Sequence, residues 1–450
     1  MILKSFSITT TISLFLLTMI TGCQSGEPQQ TTTSSSSPTP TTKPSAEVSI
    51  NVPKKPLIVS PTNPETPTAA EVKTYLNRLT ANGFSSQNQG IWIQSGDTLL
   101  ANHQGTIPLP AASLTKVATS LVALENFGPD HQFITLISAR GNIENGVLKG
   151  DLVIEGGEDP LFVWEEAIAI GNLLNQIGIQ QVTGNLIITD KFYMNFEANP
   201  VAAGHFFKQA LNSQNWPQEA AIQYQTLPPG TPRPQVVING SVQFLPATPQ
   251  NLKPLIEHSS FPLAELVKKM NQYSNNLMAD MLANAVGGPQ IVAQKAAKIV
   301  GVSPSEIQLI NGSGLGEENR ISPRAATGMF LAIDRLLQPY NMTVGDVFTI
   351  VGKDEGILEP REMLPKLSVV KSGTLNYVSA LAGALPTRDK GIVWFAILNK
   401  GSNVSELRDR QEALLNTLLQ DWGYVSNLPP ELTPLPARSR KTSSSEVSSL

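Results

Sequence analysis

The sequence predicts a mixed α/β fold: an antiparallel sheet covered by helices, carrying a strand-rich insertion. Three observations predict it. A strand hairpin near residues 90–102 and three strands between 367 and 398 bracket a middle rich in amphipathic helices. Residues 130–250 interrupt that pattern with strands and turns. A sheet with apolar faces needs helices to cover it, and antiparallel neighbours at both ends of the chain can share one sheet.

At the N-terminus, Lys4 precedes an apolar run over residues 8–20, too short to span a bilayer comfortably. It ends in Ile20-Thr21-Gly22-Cys23, which looks like a bacterial lipobox. Residues 1–22 are therefore expected to be a lipoprotein signal peptide, with Cys23 the lipidated residue. Several buried acyl chains, at about 0.8 kcal/mol per CH₂, hold a protein firmly to a membrane. The alternative is an ordinary signal peptide beside a chance cysteine. Residues 23–68 are rich in Ser, Thr, Pro and Gln and are expected to form a disordered tether.

The apolar/polar alternation of residues 90–95 and 98–102 around Gly96-Asp97 predicts a hairpin. From Ser113, Leu114, Val117, Leu121 and Leu124 share a helical face until Gly128-Pro129 stops it. Within 130–250, turns fall at Gly141-Asn142, Glu144-Asn145-Gly146 and Gly156-Gly157, with a helix near 164–176; the proline-laden stretch 228–249 has no clear pattern. Helices are expected over 263–271, 275–285 and 291–299, and one capped by Ser322-Pro323 runs to 337. Strands follow at 367–371, 379–385 and 392–398, the last two joined over Arg388-Asp389-Lys390-Gly391, then a helix over 405–422. Residues 69–129 and 251–424 are thus read as a catalytic domain, 130–250 as its insertion and 425–450 as a disordered tail.

Composition narrows the function. With 15% charged residues and a net charge of −4, there is no basic footprint for nucleic acid. His103, His131, His205 and His258 lack metal-ligand spacing, and one cysteine allows no intrachain disulfide. Neither a metal nor a cofactor is expected.

Acyl transfer needs a nucleophile, a base, a proton relay and an oxyanion site. Ser113 and Lys116, in Ser-Leu-Thr-Lys, stand one helical turn apart at a helix N-terminus, on one face. Taken alone this is a weak sign, because Ser368-Val369-Val370-Lys371 matches too. On a strand, however, the ends of that second copy point to opposite faces. Ser-x-Asn appears at Ser86, Ser213 and Ser274, and only Ser274-Asn275-Asn276 is framed by amphipathic helices. Lys371-Ser372-Gly373-Thr374 combines a cation and hydroxyls suited to a carboxylate with a glycine that permits close backbone approach. Each element also has a plain structural reading, as a helix cap or an edge-strand lysine.

The order of the three resembles that in penicillin-binding proteins and serine β-lactamases. Flanking segments sharpen the likeness: Ile107 to Lys116, Ala123 to Asp130, Gly141 to Leu152, Gly156 to Pro160, Tyr273 to Asp280, Asn311 to Leu315, Asn319 to Pro323, and Ser379 to Gly383. Over about residues 88–422 the chain resembles the D-Ala-D-Ala carboxypeptidase/endopeptidase family of class C low-molecular-mass penicillin-binding proteins (peptidase family S13). The resemblance implies a β-lactamase/transpeptidase-like sheet and an extracytoplasmic, periplasmic-side enzyme. It implies peptidoglycan stem peptides as partners and β-lactams as covalent inhibitors. Ser113 would attack, and Lys116 would act as base, helped by desolvation or by Lys371 as its candidate cationic neighbour; Ser274 would relay a proton and Asn276 hold the substrate amide. Lys371, Ser372 and Thr374 would receive the terminal carboxylate beside Gly373, and the N–H groups of Ser113 and Thr374 the oxyanion. Two departures stand out. Ser372 replaces the frequent Thr, and the span from Ser113 to Ser274 is shorter than in many members, with no recognisable Pro-Gly-Trp segment around Asn215-Trp216-Pro217. A β-lactamase is the nearest rival, and a cell-wall-binding pseudoenzyme the rival from another class.

Overall fold

The computed structural model describes residues 56–436 and 442–448. Cys23 and the expected signal peptide lie outside the described residues.

The hairpin predicted near residue 90 forms as Gln89–Ser95 and Thr98–His103. It joins the late strands in one antiparallel six-stranded sheet, ordered Thr349–Ile350, Val369–Leu375, Val378–Thr387, Gly391–Lys400, Gln89–Ser95, Thr98–His103. Side chains on a strand alternate between faces, and here the two faces differ in size. Val378, Ala380, Ala382 and Ala384, with Ala396, point into the core shared with helices Thr115–Phe127, Leu263–Gln272, Asn276–Ala285, Pro289–Val300 and Pro323–Leu337. Leu381, Leu385, Phe395 and Ile397 point the other way, against helices Thr66–Ala81 and Val404–Trp422. Alanines let the helical layer close on the sheet, while the bulkier side chains fill the space under the two outer helices, which also touch each other.

A buried polar network ties both of those outer helices down. Gln411 Nε2 donates to Ser379 O (3.0 Å) and to Asn399 Oδ1 (2.7 Å). Tyr75 OH donates to the same Asn399 oxygen, and Asn399 Nδ2 donates to Gln89 Oε1. A fully paired network of this kind fixes register, whereas a half-paired one would cost about 1–3 kcal/mol per orphaned group.

The first of the three expected late strands extends beyond its expected end. It runs Val369–Leu375, so Ser372, Gly373 and Thr374 are themselves in the ladder, opposite Leu381, Ala380 and Ser379. A tight hairpin at Asn376-Tyr377 carries the pairing through them. The helix expected from Ser113 begins instead with a 3₁₀ turn, Ala112–Leu114, followed by the α-helix Thr115–Phe127.

The insertion builds its own sheet and core. Ile134–Glu144 and Val147–Gly157 form a long hairpin, and Leu186–Lys191 adds parallel to the second strand. Helix Trp164–Gln176 lies where expected. Helices Pro200–Ala210 and Gln218–Tyr224 were not expected. The first has good start signals, Asn199 capping Val201 and Ala202 with Pro200 at the first position. Gly204 weakens its pattern, and the structure explains that glycine: a Cβ there would lie 2.6 Å from Val242.

Three expected boundaries need correction. Lys253–Ser259 pairs with Ile134–Glu144, so the insertion continues past residue 250. The tail expected to be disordered places Ser444–Val447 against Lys253–Ser259 as an edge strand, and Leu432 is buried. Composition misleads there because the serines have buried partners: Ser445 Oγ lies 2.9 Å from His258 Nδ1, and Ser443 Oγ donates to Glu166 Oε1 (2.7 Å). The tether also ends early, since Ile58 packs on the core beside Gly328 and a helix starts at Thr66.

Candidate active site

Ser113 sits in the 3₁₀ turn leading into the helix Thr115–Phe127, and Lys116 follows one turn later with no exposed surface. The turn is unusual because Ala112 has φ +47°, a left-handed conformation that costs a non-glycine residue energy. The loop Asn311–Gly314 wraps it from outside. A Cβ on Gly314 (φ +86°) would lie 1.8 Å from Ala112 O, so only glycine lets the loop reach the nucleophile turn.

That loop is held by three contacts. Asp280 Oδ1 accepts from Gly312 N (2.9 Å), Thr119 Oγ1 donates to Gly312 O (2.8 Å), and Asn311 Oδ1 accepts from Gly314 N (2.8 Å). Its purpose is visible in the next residue, whose carbonyl faces Lys116. The Lys116 amine lies 2.8 Å from Ser313 O, 2.7 Å from Asn276 Oδ1 and 3.0 Å from Ser113 Oγ.

Ser274 occupies the corner between helices Leu263–Gln272 and Asn276–Ala285, with φ +51°. Asn275 caps the second helix, its Oδ1 accepting from Met278 N (3.0 Å). The corner delivers Asn276 to Lys116 and Ser274 Oγ to Lys371, whose Nζ donates to it at 3.1 Å and to Ser372 O at 2.7 Å. Gly373 brings the strand against the nucleophile turn: a Cβ there would lie 2.7 Å from Ala111 O and 2.8 Å from Ser113 N. Ser372 is buried, and Thr374 is exposed at the rim.

Ser113, Lys116, Ser274, Asn276, Lys371 and Gly373 therefore converge, with Ser372 and Thr374 on the same strand. The other motif copies do not. Ser368 Oγ donates to Pro365 O, and Ser86–Asn88 and Ser213–Asn215 are separate 3₁₀ turns. Sequence reasoning left out the Ser313 carbonyl, Asp280 and Arg408, which donates to Thr374 Oγ1 (2.7 Å) from the closing helix. Asn311-Gly312-Ser313-Gly314 carried a signal, two glycines in a polar loop, but a backbone carbonyl has no side-chain signature.

Burial dominates the electrostatics. It lowers Lys116 from 10.5 to about 7, opposed by the Asp280 carboxylate. That corresponds to about 5 kcal/mol against the ammonium. Lys371 is also driven well below its ordinary value, by burial and then by the nearby Lys116 charge. Lys116 was expected to need a cationic neighbour or desolvation to act as a base, with Lys371 as the candidate neighbour; burial is the first cause at both amines, and the two are close enough to repel each other.

The model of the D-Ala-D-Ala carboxypeptidase 3 (S13) family matches residues 72–224 and 233–420. The chain belongs to that family. It is accordingly a serine hydrolase of the penicillin-binding class. Among curated relatives, the D-alanyl-D-alanine carboxypeptidase DacB of Haemophilus influenzae is 22% identical over 408 residues, covering 69% of this chain and 85% of its own. The D-alanyl-D-alanine carboxypeptidase of Actinomadura sp. strain R39 is 26% identical over 241 residues, 49% of this chain and 40% of that one. Among solved structures, a predatory peptidoglycan endopeptidase of Bdellovibrio bacteriovorus matches with TM-score 0.64 at 21% identity, over 79% of this chain and 98% of its own. Penicillin-binding protein 4 of Haemophilus influenzae matches with TM-score 0.60 at 19% identity, over 78% and 99%. Those likenesses show the fold, the transpeptidase-like sheet expected from the sequence.

The close approach at Gly373 generates a prediction. Gly373→Ala should push the strand off the nucleophile turn, slowing acylation by a fluorescent penicillin at least about tenfold. The cost in stability should be only about 1–3 kcal/mol. Labelling kinetics beside urea denaturation would check it, and a parent-like labelling rate would refute it.

Proposed function

We propose that this chain is a D-Ala-D-Ala carboxypeptidase acting on peptidoglycan stem peptides through an acyl-enzyme on Ser113. One observation carries the reading, the set of partners around the Lys116 amine. A neutral amine has N–H groups to donate and a lone pair to accept with. Ser313 O and Asn276 Oδ1 are acceptors, so they take the N–H groups. The lone pair is left for the Ser113 hydroxyl, 3.0 Å away, within reach for general-base transfer.

In this reading Lys116 takes the Ser113 proton as Oγ attacks the carbonyl between the two D-alanines. The N–H groups of Ser113 and Thr374 hold the oxyanion. Ser274, hydrogen-bonded to Lys371, gives its hydroxyl proton to the departing amine and regains one from Lys116, the proton taken from Ser113, while Asn276 holds the substrate amide. Ser372 and Thr374 take the terminal carboxylate with Lys371, and the free D-alanine leaves. Water then attacks the acyl-enzyme and regenerates Ser113. A β-lactam acylates the same oxygen because its strained amide presents a similar carbonyl; a penicillin G-acylated form of the Bdellovibrio endopeptidase is known.

The proposal includes location. Among the described residues no helix is long and apolar enough to cross a membrane. A diacylglyceryl group on Cys23 would instead hold the enzyme at the extracytoplasmic membrane surface, with the Ser/Thr/Pro-rich segment as spacer.

Three outcomes are expected. The parent chain should bind a fluorescent penicillin covalently and retain the label, whereas Ser113→Ala takes none; an unlabelled parent would sink the acylation reading, and rapid loss of label would indicate a β-lactamase. Acylation requires Lys116 unprotonated, and its folded value of about 7 lies below 10.5. The rate should therefore rise with pH up to about 7 and level off above it; a flat profile between pH 5.5 and 8 counts against Lys116 as base. In cells, Cys23→Ser should abolish incorporation of an alkyne fatty acid and release the protein from membranes; unchanged incorporation would exclude lipidation at this cysteine.

A further inference from the structure

The strand that ends the site meets the closing helix at one point. Arg408 Nη2 donates to Thr374 Oγ1 at 2.7 Å. Arg408 is three residues before Gln411 on the helix Val404–Trp422, so the two share a face. Gln411 is fully buried and bonded to Ser379 through both ends of its amide. Ser379 is the residue paired with Thr374 across the ladder. The helix turn bearing Arg408 is thus fixed directly behind Thr374, and the guanidinium stands on a rigid base.

Among the described residues Arg408 makes no ion pair, and a single hydroxyl occupies only part of a guanidinium's donor set. The nearby Arg361 uses the buried carboxylate, pairing with Glu412 at 2.6 Å. Arg361 also feels Arg408 as a repelling charge, with the neighbouring Asp409 as a partial offset. The buried carboxylate Glu412 is thus taken by Arg361, and the Arg408 guanidinium stands at the exposed end of the Lys371–Thr374 segment with a hydroxyl as its partner.

We propose that Arg408 is a specificity-determining residue that reads a free carboxylate on the residue following the scissile bond. This rests on the reading that Ser372 and Thr374 receive that group. The guanidinium orients the Thr374 hydroxyl and supplies charge-assisted donors beside it, in a planar fork that matches a carboxylate. The preferred substrates are peptides whose leaving residue carries its α-carboxylate unblocked; β-lactams present a carboxylate in the same role.

The test compares two peptides, one ending in D-Ala-D-Ala as the free acid and one as the primary amide, on the full chain. Arg408→Ala should lower kcat/KM for the acid by about ten- to a hundredfold, chiefly through KM, as expected for loss of a hydrogen bond to a charged group. The amide should lose at most about a few-fold, and Arg408→Lys should restore part of the activity on the acid. Equal losses on both peptides, or a loss confined to kcat, would overturn the proposal, because they would mean that Arg408 only supports the strand. A parent enzyme that hydrolyses both equally would also overturn it. A parent that hydrolyses neither and takes no penicillin label would overturn the hydrolase reading itself and this inference with it.

Discussion

Everything at the site depends on keeping one lysine amine dry. Lys116 has no exposed surface, and an ammonium without water costs several kcal/mol unless it is well compensated. The fold offers only partial compensation: two acceptor atoms, a hydroxyl, and the Asp280 carboxylate, which favours the charged form but does not outweigh burial. The result is an amine near its midpoint at neutral pH rather than a permanent cation. A second buried amine, Lys371, strengthens the constraint, since two desolvated charges at close range cannot both persist.

Several features that look unrelated serve this burial. The glycines at 314 and 373 let two backbones close on the nucleophile turn, one carrying the Ser313 carbonyl and one the strand edge. The left-handed residues Ala112 and Ser274 lie at the two corners where side chains must be turned inward. Strain of this kind persists only where surrounding packing over-determines it. The alanine-rich face of the sheet provides that packing, because it lets the helix Pro323–Leu337 sit close, and the helix carrying Lys116 packs on that helix in turn.

Much of this was legible in the sequence and some was not. The helices and hairpin came from periodicity, which records only which face is apolar. Ser113, Lys116, Ser274, Asn276 and Lys371 were identifiable because their order along the chain is informative where each motif alone is not. Arg408 was invisible, since its meaning comes from the register that sets the closing helix behind Thr374, and register is a tertiary property. The Ser313 carbonyl was invisible for a simpler reason: every residue has one. The serine-rich tail was misread because its partners, His258 and Glu166, are far away in sequence.

The site also divides its labour by exposure. The two amines, Lys116 and Lys371, are buried, and the residues proposed to meet the substrate's end, Ser372 and Thr374, lie progressively nearer the surface along one strand. A carboxylate arriving at that strand meets fixed donors and a paid-for desolvation, and it brings negative charge close to Lys371. That charge favours the proton on Lys371 over the one on Lys116, because an opposite charge nearby stabilises the protonated amine. Substrate binding and base activation are then coupled through a single strand. The coupling requires the strand to be held on both sides, by Gly373 against the nucleophile turn and by the closing helix behind Thr374.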